Sequence, residues 1–135
     1  MGKLCHNDFL DAALNHLKTT SNLLVLLSAE PASFAEAQAD VDDAGKRLGE
    51  VAIDSADFTG PSDGGTSGRE LIANAQTGVS VSGNETTGAT NMTHIALVDT
   101  VGEDVLYVTT CTAQSLTFGS TANTAAWTIE LRDPA

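Results

Sequence analysis

The chain has 135 residues, enough for one small domain with its own core, and carries 18 acidic residues against 6 lysines and arginines. Its formal net charge of -12 repels phosphate backbones and anionic lipid, which excludes nucleic-acid or membrane binding driven by charge. The acids are mostly scattered, which is typical of a surface that keeps a protein in solution.

The start of the chain lacks a secretory pattern and has His6 where an N-myristoylation signal needs Ser or Thr. The one strongly apolar run, residues 23–27, is too short to span a membrane. We therefore expect a protein made in the cytoplasm, with Cys5 and Cys111 as reduced thiols. A disulfide between them is the alternative.

The first predicted element is a helix over residues 8–18, capped by Asn7 or Asp8. Apolar residues recur along it at spacings of three and four, which predicts one stripe that packs on the rest of the protein. The stripe consists of Phe9, Leu10, Ala13, Leu14 and Leu17. Residues 23–27 then predict a buried strand, and residues 32–48 suit either a short helix or a surface loop.

The middle of the chain predicts short strands separated by turns. Residues 51–53 favour a brief strand, and residues 60–68 favour a loop because Gly and Pro dominate them. Residues 69–75 and 79–82 predict a hairpin that turns around Gly78.

The last third predicts a second polar loop at residues 83–91 and a hairpin of residues 93–99 with 105–110. Residues 116–118 favour another short strand, and residues 127–132 a final one. In the hairpin we expect one buried face and an opposite face with His94 and Tyr107. The buried face comprises Ile95, Leu97, Leu106 and Val108. In the final strand, alternation places Trp127, Ile129 and Leu131 on one face.

This order of elements predicts a mainly β fold in one domain over residues 1–135. We expect an antiparallel β-sandwich-like body, residues 22–134, with an N-terminal α-helix within residues 1–20 packed on it.

Two patterns fall short of a reactive site. Ser62 lies in a G-x-S-x-G pattern, but a hydrolase elbow needs a strand before it, a helix after it and a positioned His. Asp40, Asp42 and Asp43 begin like a calcium loop, yet Val51 stands where the closing Glu belongs. The sequence therefore predicts no catalytic residue and no cofactor, with weak surface binding of Ca²⁺ by these acids as the alternative.

The histidines and cysteines also fail to predict a metal site. Cys5 and His6 are adjacent and His16 lies further along the helix, whereas a structural zinc site needs four ligands, usually in two close pairs.

Several segments together resemble small virion structural proteins of tailed bacteriophages. This chain and those proteins have in common a short helix, loops rich in Gly and Thr, and a strand-rich carboxyl half. The segments are residues 10–14, 67–69, 93–99, 106–111 and 126–134.

Within that group, the resemblance implies a capsid decoration (cement) protein: small, acidic, β-rich and bound outside the assembled head. It further implies a homotrimer that clamps neighbouring subunits of the major capsid protein at local three-fold positions. Binding only the assembled shell would stabilise it by mass action.

Loops on a rigid β body usually hold its binding surface, so we expect capsid or subunit contacts in the two polar loops. The candidate contact residues are Pro61, Ser62, Asp63, Thr66, Asn84, Glu85 and Thr86. A tail, baseplate or head-fibre component is the alternative within the virion. Outside it, the alternatives are a small hydrolase and a carbohydrate-binding module, the latter with only one Trp and one Tyr to stack on sugars.

Overall fold

The computed structural model describes residues 5–134 and has a mainly β fold with antiparallel sheets and a helix near its start. Expectations about the first four residues and Ala135 lie outside the described residues. The helices are α1 (Asn7–Thr20) and α2 (Phe34–Gln38), and 3-10 turns cover Val41–Asp43 and Ser55–Asp57. The strands are β1 (Leu23–Leu27), β2 (Arg47–Ala52), β3 (Phe58–Asp63), β4 (Arg69–Ala73), β5 (Gln76–Ser80), β6 (Ala89–Asp99), β7 (Asp104–Thr117), β8 (Thr121–Thr124) and β9 (Trp127–Leu131).

The strands of the described residues form three antiparallel sheets. The large sheet has the order β2-β1-β6-β7, the middle sheet β3-β4-β9, and the small sheet pairs β5 with β8. Each of these strands, and α1, contributes a buried side chain to one main core. This arrangement confirms the β-sandwich-like body with an N-terminal helix.

The central strand β1 is buried on both faces. Leu24 and Leu26 belong to the main core, whereas Val25 and Leu27 belong to a second, smaller core with Ala37 of α2. A continuous apolar run is what a strand buried on both sides requires, so the prediction for residues 23–27 is confirmed.

Residues 32–48 contain pieces of both predicted alternatives. They hold the short helix α2, the 3-10 turn Val41–Asp43 and the start of β2. β2 is therefore longer than the strand expected at residues 51–53. Gly49 allows β2 to approach the small sheet, because a Cβ on it would stand 2.3 Å from the carbonyl oxygen of Ser80.

The cap of α1 differs from the prediction. The Nδ1 atom of His6 accepts a hydrogen bond of 3.2 Å from the backbone N–H of Asp8, so the cap is His6 and not Asn7 or Asp8. The helix continues to Thr20, two residues beyond the predicted end. No helix of the described residues is long and apolar enough to cross a membrane.

The predicted apolar stripe of α1 is partly wrong. Leu10 and Leu14 are buried and Leu17 is half-buried, but Phe9 is 71% exposed and Ala13 is also exposed. The helix rests on β3 and β4 along the narrower line of the three leucines, which recur at i, i+4 and i+7. Phe9 and Ala13 lie beside that line and face solvent.

The predicted hairpin around Gly78 does not form. β4 pairs with β3 and β9, whereas β5 pairs with β8, so the two predicted arms belong to different sheets. Gly78 has a φ of 68° and lies at a register shift between Gln76 and Val79. The glycine that favoured a turn instead supplies the positive φ of a β-bulge inside β5.

The hairpin of β6 and β7 forms, but its faces differ from the prediction. A bulge at Leu106 shifts the alternation, so that Tyr107 lies opposite Leu97 and faces the main core. Val108 lies opposite Ala96 and faces the second core instead. β7 also continues to Thr117, and the short strand expected at residues 116–118 is mostly its end.

The final strand behaves as its alternation predicts. Ile129 is buried, and Trp127 and Leu131 are half-buried against the same main core. β9 pairs with β4 alone and is an edge of the middle sheet.

Candidate functional site

The first predicted contact loop is shorter than expected. Residues 60–63 belong to β3, and Pro61 lies at a register shift of this edge strand, where a missing N–H is tolerated. The turn that remains, residues 64–68, is closed by a 3.0 Å hydrogen bond from the N–H of Gly64 to the carbonyl oxygen of Gly68. Ser62 and Thr66 are exposed, as a contact residue must be.

This hairpin of β3 and β4 is fastened to the body by ion pairs. The guanidinium of Arg69 donates to Asp11 of α1 and to Asp63, each at 2.6 Å. On the other side, the N–H of Thr66 donates to the carboxylate of Glu130 at 3.3 Å. That hydrogen bond lowers the pKa of Glu130, and Arg132 contributes in the same direction.

The second predicted contact loop contains one residue that cannot contact a partner. Asn84 is fully buried, and its Nδ2 atom donates to the carbonyl oxygens of Gly88 and Leu116 at 3.0 and 2.9 Å. The expectation that its side chain lies on the surface is therefore wrong. Glu85 and Thr86 beside it are exposed.

The acidic residues that resembled a calcium loop hold this second loop in place. The carboxylate of Asp42 accepts hydrogen bonds from the N–H groups of Thr86 and Thr87, at 2.6 and 3.1 Å, and from the Thr87 hydroxyl at 2.7 Å. These bonds, chiefly that from Thr86, lower the pKa of Asp42. Asp40 pairs with Arg47 at 2.7 Å. Among residues 5–134, no group of three or more potential metal ligands lies together.

The surroundings of Ser62 differ from those of a nucleophile elbow. The residue is exposed on β3, and the chain continues through a turn into β4 and not into a helix. Within the described residues, no hydrogen bond joins Ser62 to a histidine. Cys5 and Cys111 are both free thiols.

A cleft that the sequence did not predict lies beside β7, the edge strand of the large sheet. It has a volume of about 400 Å³, within the range of roughly 300–1,000 Å³ that is common for ligand pockets. One wall is the second half of β7, and the other is the end of β8 with the start of β9. The lining comprises Met92, Ile95, residues 109–112, Gln114 and residues 123–128.

The lining of the cleft is uncharged. Its polar groups are the hydroxyls of five threonines together with Gln114 and Asn123. The cleft belongs to a longer stretch, residues 105–129, that contains no Asp, Glu, Lys, Arg or His. Because the lining of the cleft carries no carboxylate, a neutral surface can contact it without facing a charge there.

One residue of the cleft lining, Trp127, takes part in an aromatic stack. The only Trp and the only Tyr of the chain, Trp127 and Tyr107, stack with ring centroids 5.7 Å apart and an interplanar angle of 26°. The indole N–H of Trp127 is buried and has no hydrogen-bond partner among residues 5–134. Burial raises the pKa of the thiol of Cys111, which also lines the cleft.

The predicted loops and the cleft are separate features. Among residues 5–134, no hydrogen bond or strand pairing joins residues 60–68 to residues 83–91, so the two contact loops do not form one bonded site. The absence of charge over residues 105–129 was the sequence signal that could have found the cleft. Comparison of the chain with protein-family models, with curated proteins and with solved structures gave no match.

Proposed function

We propose that this protein is a capsid decoration (cement) protein of a tailed bacteriophage. It binds the outside of the assembled head as a homo-oligomer and stabilises the shell by bridging subunits of the major capsid protein. One observation carries the proposal: an uncharged cleft on an otherwise acidic body. A surface of this kind suits a protein that binds by shape and hydrogen bonds to one partner and repels other anionic surfaces.

The rigidity of the body supports the same function. Both polar loops are tied down by charge-assisted hydrogen bonds, from Arg69 to Asp63 in one and from Thr86 to Asp42 in the other. A surface that is ordered before binding loses less conformational entropy on binding, and this favours a clamp repeated at many sites on a shell.

Within this proposal, the exposed residues Ser62, Thr66, Glu85 and Thr86 and the rim of the cleft supply the contacts. Asp63 and Pro61 position the contact residues. Arg69 donates hydrogen bonds to the carboxylate of Asp63 and to the carbonyl oxygen of Pro61.

The test compares purified heads that contain this protein with heads that lack it. Low-resolution images should show extra density at three-fold or quasi-three-fold positions, and the decorated heads should resist heat better. Many copies per head fit decoration, whereas a few copies at the tail would favour the tail, baseplate or fibre alternative. A purified phage without the protein would overturn the proposal.

A pair of variants locates the contact. Thr112→Glu places a carboxylate at the exposed rim of the cleft, and we expect fewer bound copies per head. Ala35→Glu adds the same charge at an exposed site on α2, outside the cleft lining, and should leave occupancy unchanged. Equal occupancy of the two variants would remove the cleft from the contact surface.

Neutral carbohydrate is a second candidate ligand, because Trp127, which stacks on Tyr107, lines the cleft together with threonine, glutamine and asparagine side chains. Since Trp127 is the only tryptophan, its fluorescence reports on the cleft alone. Titration with glucose, galactose, N-acetylglucosamine and their disaccharides should shift the emission if this function holds. An unchanged spectrum with all of them would exclude it.

A further inference from the structure

The cleft lies between two segments of the chain that turn back on each other without pairing. The N–H of Ser120 donates to the carbonyl oxygen of Thr117 at 3.1 Å, which closes a turn after β7. A strand that follows such a turn usually pairs with the strand before it. Here β8 pairs with β5, and β9 pairs with β4. Residues 109–112 and residues 123–128 therefore line the cleft as two unpaired arms of the chain.

The later arm has backbone groups that are not used in the fold. Ala125 and Ala126 connect β8 to β9, are exposed, and belong to no strand. Among residues 5–134, no hydrogen bond involves the backbone N–H or C=O of either residue. Since both residues line the cleft, this wall has unpaired backbone donors and acceptors.

The earlier arm has a gap in its own pairing at the same cleft. β7 bulges at residues 111–113, where three of its residues stand against Thr93 of β6 alone. A bulge leaves its extra residues without a ladder partner. Cys111 and Thr112 of this bulge line the cleft, so backbone groups without a strand partner occur on both walls.

The remaining lining suits the side chains of a strand. Met92 and Ile95 are only 4% and 5% exposed and give the cleft a buried apolar part. The polar groups are threonine hydroxyls and the amides of Gln114 and Asn123, without any charge. A charged ligand would lose its hydration there and gain no opposite charge in return. The chemistry of the cleft is therefore complementary to neutral groups, and its unpaired groups are those of a backbone.

We propose that the cleft binds an extended, uncharged peptide segment of a partner protein, whose backbone hydrogen-bonds to both walls. The segment takes the place of a strand between β7 and residues 123–128, and it directs apolar side chains at Met92 and Ile95. In recognition by strand addition, main-chain hydrogen bonds give affinity and pockets for alternate side chains give specificity. This inference deepens the proposed function and rests on it for the identity of the partner, the major capsid protein.

The first experiment uses the purified protein and needs no capsid. The probe is the peptide acetyl-Thr-Val-Thr-Val-Thr-amide, which is uncharged and alternates polar and apolar side chains. Its control carries N-methyl groups on both valines and so lacks two N–H donors. Trp127 fluorescence should follow binding of the probe, and the control should bind roughly thirtyfold more weakly because two backbone hydrogen bonds are lost. Hydrogen exchange of the amides of residues 111–112 and 125–126 should slow in the complex.

A pair of variants tests the wall at Ala126. Ala126→Pro removes an N–H that has no partner in the described protein, so the fold should persist while binding of the probe falls roughly fivefold. Ser55→Pro is the matched control. Ser55 is exposed, lies outside the cleft lining and begins a 3-10 turn, a position that tolerates proline. Ser55→Pro should bind the probe as the wild type does.

The outcomes separate this inference from the proposed function. Absence of probe binding, equal binding of the probe and its N-methylated control, or equal binding by the two variants would overturn the inference. If Ala126→Pro does not fold, the two peptides still decide on the wild-type protein. On purified heads, Ala126→Pro should lower the number of bound copies. Decorated heads that keep full occupancy with Ala126→Pro would remove the inference and retain the decoration role, whereas a phage without this protein would remove the role itself.

Discussion

Replacing Leu14 with alanine tests how α1 is attached to the body. Leu14 is 2% exposed and packs in the main core. Truncating a buried leucine to alanine costs about 3 kcal/mol, through lost burial and the cavity left behind. For a chain of this length, a loss of 1 kcal/mol lowers Tm by about 4 °C, so Leu14→Ala should lower Tm by about 12 °C.

Phe9→Ala is the matched control on the same helix. Phe9 is 71% exposed, and surface substitutions change the free energy of unfolding by roughly 0.5 kcal/mol or less. Urea unfolding followed by far-ultraviolet circular dichroism measures both variants, with the slope m checked for a constant two-state transition. If Phe9→Ala costs as much as Leu14→Ala, Phe9 packs in the core as the full apolar stripe predicted, and the observed helix face is wrong.

Three further predictions follow from the loops and the cleft. Because the pKa of Asp42 is lowered in the folded protein, its ionised carboxylate stabilises the fold at pH values above the ordinary pKa of Asp, and this stabilisation is lost as pH falls through the lowered pKa. Asp42→Asn should remove this acid dependence and speed hydrogen exchange of the Thr86 amide. Identical exchange rates in the variant and the wild type would contradict this prediction. Asn84→Ala should cost about 1–3 kcal/mol in urea unfolding, because the buried carbonyl oxygen of Leu116 and the part-buried one of Gly88 each lose the bond from its amide; a change below 0.5 kcal/mol, roughly the surface value, would count against those bonds. Alkylation of Cys111 in the folded protein, followed by mass spectrometry, should be slow at neutral pH and accelerate in alkali because its pKa is raised; fast reaction at neutral pH would contradict the burial.

Sequence patterns predicted the elements whose environment is decided locally. The continuous apolar run of β1 could be buried only on both faces, and the alternation of β9 fixed which side chains face the core. Both predictions needed no knowledge of the partner strand. The existence of α1 likewise followed from its own periodicity.

The predictions of strand pairing and of buried faces were wrong where a single residue interrupted the two-residue alternation of a strand. The bulge at Leu106 moved Tyr107 to the core face, and Gly78 served a bulge where a turn was expected. β5 pairs with β8, which lies some forty residues further along the chain. A period of two identifies a strand but not its partner, so the sheet order could not be read from the sequence.

The candidate site was the least predictable part. Polar loops suggested contact residues, yet Asn84 is buried because its amide satisfies two carbonyl oxygens inside the protein. Burial of this kind depends on how distant segments pack and leaves no local pattern. The uncharged stretch over residues 105–129, in contrast, was visible in the sequence and contains most of the cleft lining.

The position of β1 at the centre of the large sheet bears on the order in which the protein can fold during synthesis. β1 pairs with β2 soon after it leaves the ribosome, but its other neighbour, β6, is translated some seventy residues later. Until then its leucines are exposed to solvent, which makes the nascent chain prone to aggregate. We expect the half-made chain to need a chaperone, and the completed chain to release it once residues 89–99 have been added.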